Sequence, residues 1–156
     1  MALFKSEFSA YSVAYSPYEG DKIAVACAQH FGIVGNGALY VLVTSEPRMS
    51  QVYLAQTQDS VFDVAWNEGN ENQVLAACGD GSVKIFDLAY PQPISNIAAH
   101  SSEVFSVHSN YQMSNLIASG SYDKAVRVWD ITSNECLNSF EEHMGEVYSS
   151  TWHPKE

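Results

Sequence analysis

Short runs that alternate apolar and polar positions recur along the chain, and three fall at one interval. VFDVAW at Val61 to Trp66, VFSVHS at Val104 to Ser109 and VYSSTW at Val147 to Trp152 stand 43 residues apart. Alternation with a period of two over five or six residues is the pattern of a half-buried β-strand, and no window carries a sustained helical period. Asp80 and Asp123, Asp87 and Asp130, and His100 and His143 are also each separated by 43. A looser fourth copy, YSVAYS at Tyr11 to Ser16, lies 50 residues before VFDVAW, with the extra seven assigned to a glycine-rich insertion at Gln29 to Gly37.

In the third unit, Val104 to His108, Leu116 to Ser121, Ala125 to Trp129 and Cys136 to Phe140 read as four strands, with a tight turn at Tyr122-Asp123-Lys124. Four strands per roughly 40–45 residues, the third closed by the Trp129-Asp130 pair, is the pattern of a propeller blade. The predicted fold is all-β, an incomplete propeller of three four-stranded blades plus the first strand of a fourth. The predicted boundaries are blade 1 at 8–45, blade 2 at 52–90, blade 3 at 94–131, and the outer strand with the start of blade 4 at 135–152. Propellers are built from about four to eight blades, so the sequence reads as the N-terminal part of a larger ring whose open flank needs covering.

Apolar residues make up 46% of the chain and aromatic residues 12%, which is enough to fill cores between blades. No run of apolar residues is long enough to span a bilayer, and MALFKSEFSAY lacks the basic and apolar regions of a leader. The expectation is a chain of an internal aqueous compartment with no direct membrane insertion. Seven Lys and Arg against 18 Asp and Glu give a net charge of −11. That field repels phosphate backbones, which argues against nucleic acid as a partner, and it draws cationic peptides.

Cys27, Cys78 and Cys136 show no CxxC spacing and read as strand hydrophobes, so neither a metal nor a cofactor is expected. His100, Ser119 and Asp123 are the residue types of a hydrolytic triad, with Trp129 nearby in sequence. Ser119, however, sits mid-strand in LIASGS without a GxSxG elbow. The four residues are assigned instead to a hydrogen-bonded scaffold that pins the turn to the strands, and the chain is not expected to be an enzyme. In the second unit the equivalent positions are Thr57, Ala76, Asp80 and Phe86, so only the aspartate survives. GIVGNG could suggest a phosphate loop, but the strand pattern ALYVLV follows where a helix would have to begin. Asn36-Gly37 reads as the hairpin turn of the first blade.

The run ACAQHFGIVGNGALYVL, followed by VFDVAWNEGNENQVLAACGDGSVKIFD and by HSSEVFSV with SGSYDKAVRVWD, resembles the WD-repeat receptors for the type 2 peroxisomal targeting signal, the seventh peroxin. The resemblance runs from about Phe8 to Trp152 and rests on the AQHFGI insertion more than on the Trp-Asp repeats. It implies a cargo receptor that cycles between cytosol and peroxisome. Such receptors bind a short N-terminal signal: a basic and an apolar residue, five variable positions, then His or Gln and another apolar residue. A co-receptor peroxin and docking components of the peroxisomal membrane are the further implied partners. Wound as a helix, the signal presents its first and last pairs on one face. Carried onto this chain, the top-face positions of such a propeller are Asp59, Ser60, Phe62, Glu103, Phe105, Tyr122, Glu146 and Tyr148. A generic WD-repeat scaffold with a different peptide partner is the competing reading.

Overall fold

The computed structural model describes residues 3–44 and 47–154, and it consists of three four-stranded antiparallel sheets. The first contains β1 (Ser9–Tyr15), β2 (Lys22–Ala28), β3 (Gly37–Val43) and β4 (Ser50–Thr57). The second contains β5 (Val61–Trp66), β6 (Gln73–Cys78), β7 (Val83–Asp87) and β8 (Pro93–Ile97). The third contains β9 (Val104–Ser109), β10 (Leu116–Ser121), β11 (Val126–Asp130) and β12 (Glu135–Phe140). Each sheet is a meander in sequence order, because turns of a few residues can join only antiparallel neighbours. Among the described residues no helix is long and apolar enough to cross a membrane.

The sheets stack face to face, so their middle strands are buried on both sides. β6 shows the consequence: Val74, Ala76 and Cys78 pack toward the first sheet with Leu39, Val41 and Phe86, whereas Leu75 and Ala77 pack toward the third with Val104 and Ile117. A two-sided strand needs a continuous apolar run, which VLAAC supplies. The other face of the first sheet, with Cys27, Tyr40 and Leu42, is covered by Phe4 and Phe8. Polar ties join the inner strands. Trp66 Nε1 donates to the Ala14 carbonyl at 3.0 Å, and Trp152 Nε1 donates to that of His108 at 3.1 Å. Asp63 links all three sheets, accepting from the Ser12 hydroxyl at 2.6 Å and from the Val64 and Val107 amides at 2.9 and 3.0 Å. Burial pushes its carboxyl up despite these donors.

Three expectations are corrected. Hydrogen bonding assigns Ser50–Thr57 to the first sheet, Pro93–Ile97 to the second and Glu135–Phe140 to the third. The sheets therefore span 9–57, 61–97 and 104–140, and the boundaries at 8–45, 52–90, 94–131 and 135–152 cut each sheet before its outer strand. The predicted blade 1 limit at Ser45 lies outside the described residues, as do Lys155 and Glu156 at the end of the chain. Val147 to Trp152 forms no strand, since a strand requires a ladder and no segment pairs along it. It still packs in the next blade's place, with the Val147 amide on the Ser121 carbonyl at 2.9 Å and Ser150 Oγ 2.9 Å from Ser106 Oγ.

The last correction concerns the insertion, where Asn36-Gly37 is not the hairpin turn. Gly37 already pairs with Ala28 and Thr57 in β3, and the chain reverses over 29–36. Gly37 is required for close approach, because a Cβ there would stand 2.4 Å from the Asp59 carbonyl oxygen.

The turn between the second and third strands places one residue in the left-handed region, Gly81 at φ 84° in the second sheet and Lys124 at φ 72° in the third. Lys124 has a Cβ that crowds this conformation, at a cost of about 1 kcal/mol. Lys124→Gly is therefore expected to raise the thermal midpoint by a few degrees, measured by calorimetry.

Candidate functional site

At one end of the stacked sheets, near the start of the inner strands, lies a cavity of about 580 Å³. Its floor comes from a repeated irregularity. The pairing of β1, β5 and β9 skips one residue each time, between Ala10 and Ser12, Val61 and Asp63, and Val104 and Ser106. The skipped residues are Tyr11, Phe62 and Phe105. A bulge re-aims the extra side chain away from the pleat, and these three rings line the cavity. They form a row, with Tyr11 and Phe62 centroids 5.5 Å apart, Phe62 and Phe105 4.9 Å apart, and Phe105 and Tyr148 5.1 Å apart. Tyr122 meets Phe105 edge-on at 6.1 Å.

Glu103 is the one acidic residue of the lining. Its carboxylate accepts from the Ser102 hydroxyl. That bond, then one from its own backbone amide, holds the carboxyl below its ordinary value, so it stays charged well into the acid range. Its backbone carbonyl accepts from the Tyr122 amide at 2.9 Å and the Ser121 hydroxyl at 2.7 Å. The position is therefore anchored through main chain, and the side chain is left to the cavity.

The eight top-face positions thus divide. Phe62, Glu103, Phe105, Tyr122 and Tyr148 come together at the cavity, with Tyr122 and Tyr148 exposed. Ser60 does not: it is fully buried, and among the described residues its hydroxyl has no hydrogen-bond partner. Asp59 lies outside the lining. Its carboxylate accepts from the Ser60 amide at 2.8 Å and packs where a Cβ on Gly79 would sit. Glu146 is half-buried beside Val147 in sequence and is also outside the lining. Closeness to the strand start alone therefore does not place a side chain at the mouth: Glu103 before β9 reaches it, whereas Ser60 before β5 is buried.

Four lining residues escaped the sequence reading: Tyr11, Phe31, Gly32 and Ile33. Tyr11 is structurally equivalent to Phe62, so the first copy is offset by 51 residues and not 50. The bulge hides this, because matching the apolar positions of YSVAYS and VFDVAW slides the copies by one. Phe31 and Ile33 belong to the insertion, which leans on the mouth: a Cβ on Gly32 would meet the Phe62 ring at 2.5 Å.

A family model described as WD domain, G-beta repeat matches residues 49–87 and 91–130, just over half of the chain. The chain belongs to the WD-repeat family. Within it, the chain is similar to proteins with peroxisomal names. It is 46% identical over 99 residues to the peroxisomal targeting signal 2 receptor of Saccharomyces cerevisiae, covering 62% of the chain and 26% of the receptor. It is 43% identical over 109 residues to peroxisome biogenesis protein 7 of Arabidopsis thaliana, covering 67% of the chain and 34% of that protein. The peroxisomal targeting signal 2 receptor of Homo sapiens is 36% identical over 95 residues, covering 60% and 29% respectively. The chain spans about a third or less of the length of these relatives.

The WD-repeat scaffold is complete in the third sheet. Trp129 Nε1 donates to Ser119 Oγ at 3.1 Å, Ser119 Oγ lies 2.7 Å from His100 Nε2, and His100 Nδ1 lies 3.0 Å from both Asp123 oxygens. The consistent proton arrangement has Ser119 donating to Nε2 and Nδ1–H donating to the carboxylate. Asp123 also accepts from the amides of Ser101 at 3.1 Å and Ala125 at 3.0 Å, and it pairs with Arg127 at 3.2 Å. Burial acts to raise its pKa, yet these donors outweigh burial and hold the carboxyl below its ordinary value. Ser119 is fully buried, with its hydroxyl engaged on both sides. A nucleophile must reach its substrate, and this hydroxyl is shut off from solvent. In the second sheet Asp80 is held instead by Ser82 and Lys84 at 2.5 Å each, so the turn is secured without a histidine. Among the described residues no group of three or more His, Cys, Asp or Glu could hold a metal.

Proposed function

We propose that this chain supplies the cargo-binding mouth of a receptor for an N-terminal peptide signal of the type 2 peroxisomal class. The observation that carries the reading is the row of rings at the strand bulges with Glu103 at its edge. An aromatic floor with a carboxylate rim suits an amphipathic helix that presents apolar residues and one cation on the same face. The names of the relatives agree with that chemistry, and the charge of −11 favours approach of a basic segment. On this reading the cargo is a matrix protein with a basic and apolar N-terminal signal. The receptor meets it in the cytosol, a co-receptor peroxin closes over the peptide, and docking components of the peroxisomal membrane receive the complex. Asp59, Ser60 and Glu146 then act behind the mouth, and Phe62, Glu103, Phe105, Tyr122 and Tyr148 touch the peptide.

Fluorescence anisotropy of a labelled signal peptide tests the reading. Binding is expected to weaken about tenfold when the leading basic residue becomes glutamate, and binding of the unmodified peptide is expected to weaken as salt is raised from about 50 to about 300 mM, because screening shortens the reach of charge. Equal binding of the two peptides would favour the generic WD-repeat scaffold with a different partner.

A further inference from the structure

We propose that the seam between the second and third sheets holds a binding site for a tyrosine side chain of a partner protein, separate from the mouth. A cavity of about 340 Å³ opens there, beside the loop that joins β5 to β6 and so at the end of the sheets opposite the mouth. Ile85, Ile94 and Ile131 give it apolar walls, and the carboxamides of Asn67, Gln73 and Asn115 are among its polar groups. None of the described residues that line it is charged. Such walls suit a neutral guest with an apolar body and one polar atom, whereas an ion would find no counter-charge.

The repeat shows which guest fits. In the first seam the chain fills the equivalent space itself. Pairing sets Tyr53 opposite Val41 and Ser95 opposite Ile85, each beside a register shift, so Tyr53 and Ser95 are counterparts. Tyr53 is buried between the first and second sheets, and its hydroxyl donates to the Tyr90 carbonyl at 2.8 Å. Ser95 lines the cavity, its hydroxyl 3.2 Å from Asn134 Oδ1. The acceptor side matches as well. Leu88 and Ile131 stand 43 apart and their amides donate to the Asn72 and Asn115 carbonyls, so Ser133 is the counterpart of Tyr90. Tyr18 repeats the difference. Its hydroxyl crosses the first seam to the Asn67 carbonyl at 3.2 Å, while Gly69, whose amide is held by Asn67 as that of Tyr18 is by Ser16, has no side chain to cross the second.

The second seam therefore lacks two phenol rings that the first contains, and volume left empty in a close-packed interior forfeits contacts. A tyrosine from outside restores the arrangement, its ring against the isoleucines and its hydroxyl toward the Ser133 carbonyl. The register shift in β8 skips Ile94, which is 49% exposed and forms an apolar lip for the residues next to that tyrosine. A partner held here leaves the row of rings at the mouth free.

Isoleucine methyl NMR tests the site with N-acetyltyrosinamide as the probe. The probe is expected to shift the Ile85, Ile94 and Ile131 signals saturably, with a Kd on the order of 1 mM, while Ile23 in the first sheet stays unmoved. N-acetylphenylalaninamide lacks the hydroxyl and should need about fivefold more. Ser95→Tyr supplies the ring from within, so it is expected to abolish the shifts and to raise the thermal midpoint by a few degrees. No saturable shift in the unmodified protein, or shifts that survive in a folded Ser95→Tyr variant, overturns the proposal. Equal binding of the phenylalanine probe overturns the choice of tyrosine. A response to p-cresol without one to the blocked amino acid assigns the cavity to a free phenol and overturns the partner. The titration of the unmodified protein decides even where circular dichroism shows the variant unfolded.

Discussion

Asp123→Ala is expected to lower the unfolding free energy by about 3 kcal/mol, the effect of removing one partner from a buried charged network. The substitution strands the His100 Nδ1–H and the amides of Ser101 and Ala125, all of which donate to this carboxylate. It also releases Arg127, which is tied at once to Asp123 and to the Ala99 carbonyl. The third sheet should open first, seen as early amide exchange in β10 and β11.

The pH dependence follows from the same network. The folded pKa of Asp123 lies below its unfolded value, so its stabilisation is fully present above the unfolded value and is lost as pH falls through the folded one. Burial pushes the His100 pKa down, with Asp123 opposing in part, and protonation below about pH 6.5 therefore favours the unfolded chain. Both groups make the unmodified protein less stable in acid. The gap between the unmodified protein and Asp123→Ala in denaturant titrations should shrink as pH falls through the carboxylate range, where Asp123 itself takes up a proton, and a gap unchanged there, or equal melting, would contradict the scaffold role.

Glu103→Lys is expected to weaken binding of a basic amphipathic helix by more than tenfold while leaving the melting temperature within a degree or two. The separation of the two effects comes from the backbone. The Glu103 carbonyl makes the structural bonds to Tyr122 and Ser121, and these survive any side chain. The carboxylate's bonds from the Ser102 hydroxyl and from its own backbone amide are lost, and both are local to the loop. Calorimetric titration reads the affinity directly. A variant that binds as well as the parent removes the carboxylate from the account, and one that binds poorly because it has unfolded shows that in its melt.

These outcomes depend on features that were unequally visible in the residues. The blades were legible because two-sided strands demand long apolar runs and the repeat supplies them at a fixed interval, as with VLAAC in β6. The His100, Ser119, Asp123 and Trp129 positions were legible because order and spacing suffice to bring them together along adjacent strands. The mouth was harder. Bulges shift the outward side chain by one residue, so Phe62 and Phe105 could be read from the repeat while Tyr11, in the least regular copy, could not. Asp59 and Ser60 precede β5 as residues of the rim should, yet the short Ser60 side chain is fully buried and the Asp59 carboxylate is turned to the Ser60 amide. The loop conformation at Phe31 has no signal in residue type, since a bulky aromatic disfavours a positive φ. Only the glycines around that residue hint at it.

Photo-crosslinking addresses the central claim most directly. A signal peptide carrying a photoreactive group at its first apolar position is irradiated with the protein, and the attachment point is read by mass spectrometry. Attachment at Phe62, Phe105, Tyr122 or Tyr148 is the result this account predicts. Attachment along the exposed strand β12, or at the opposite mouth around Tyr15 and Tyr111, would contradict it.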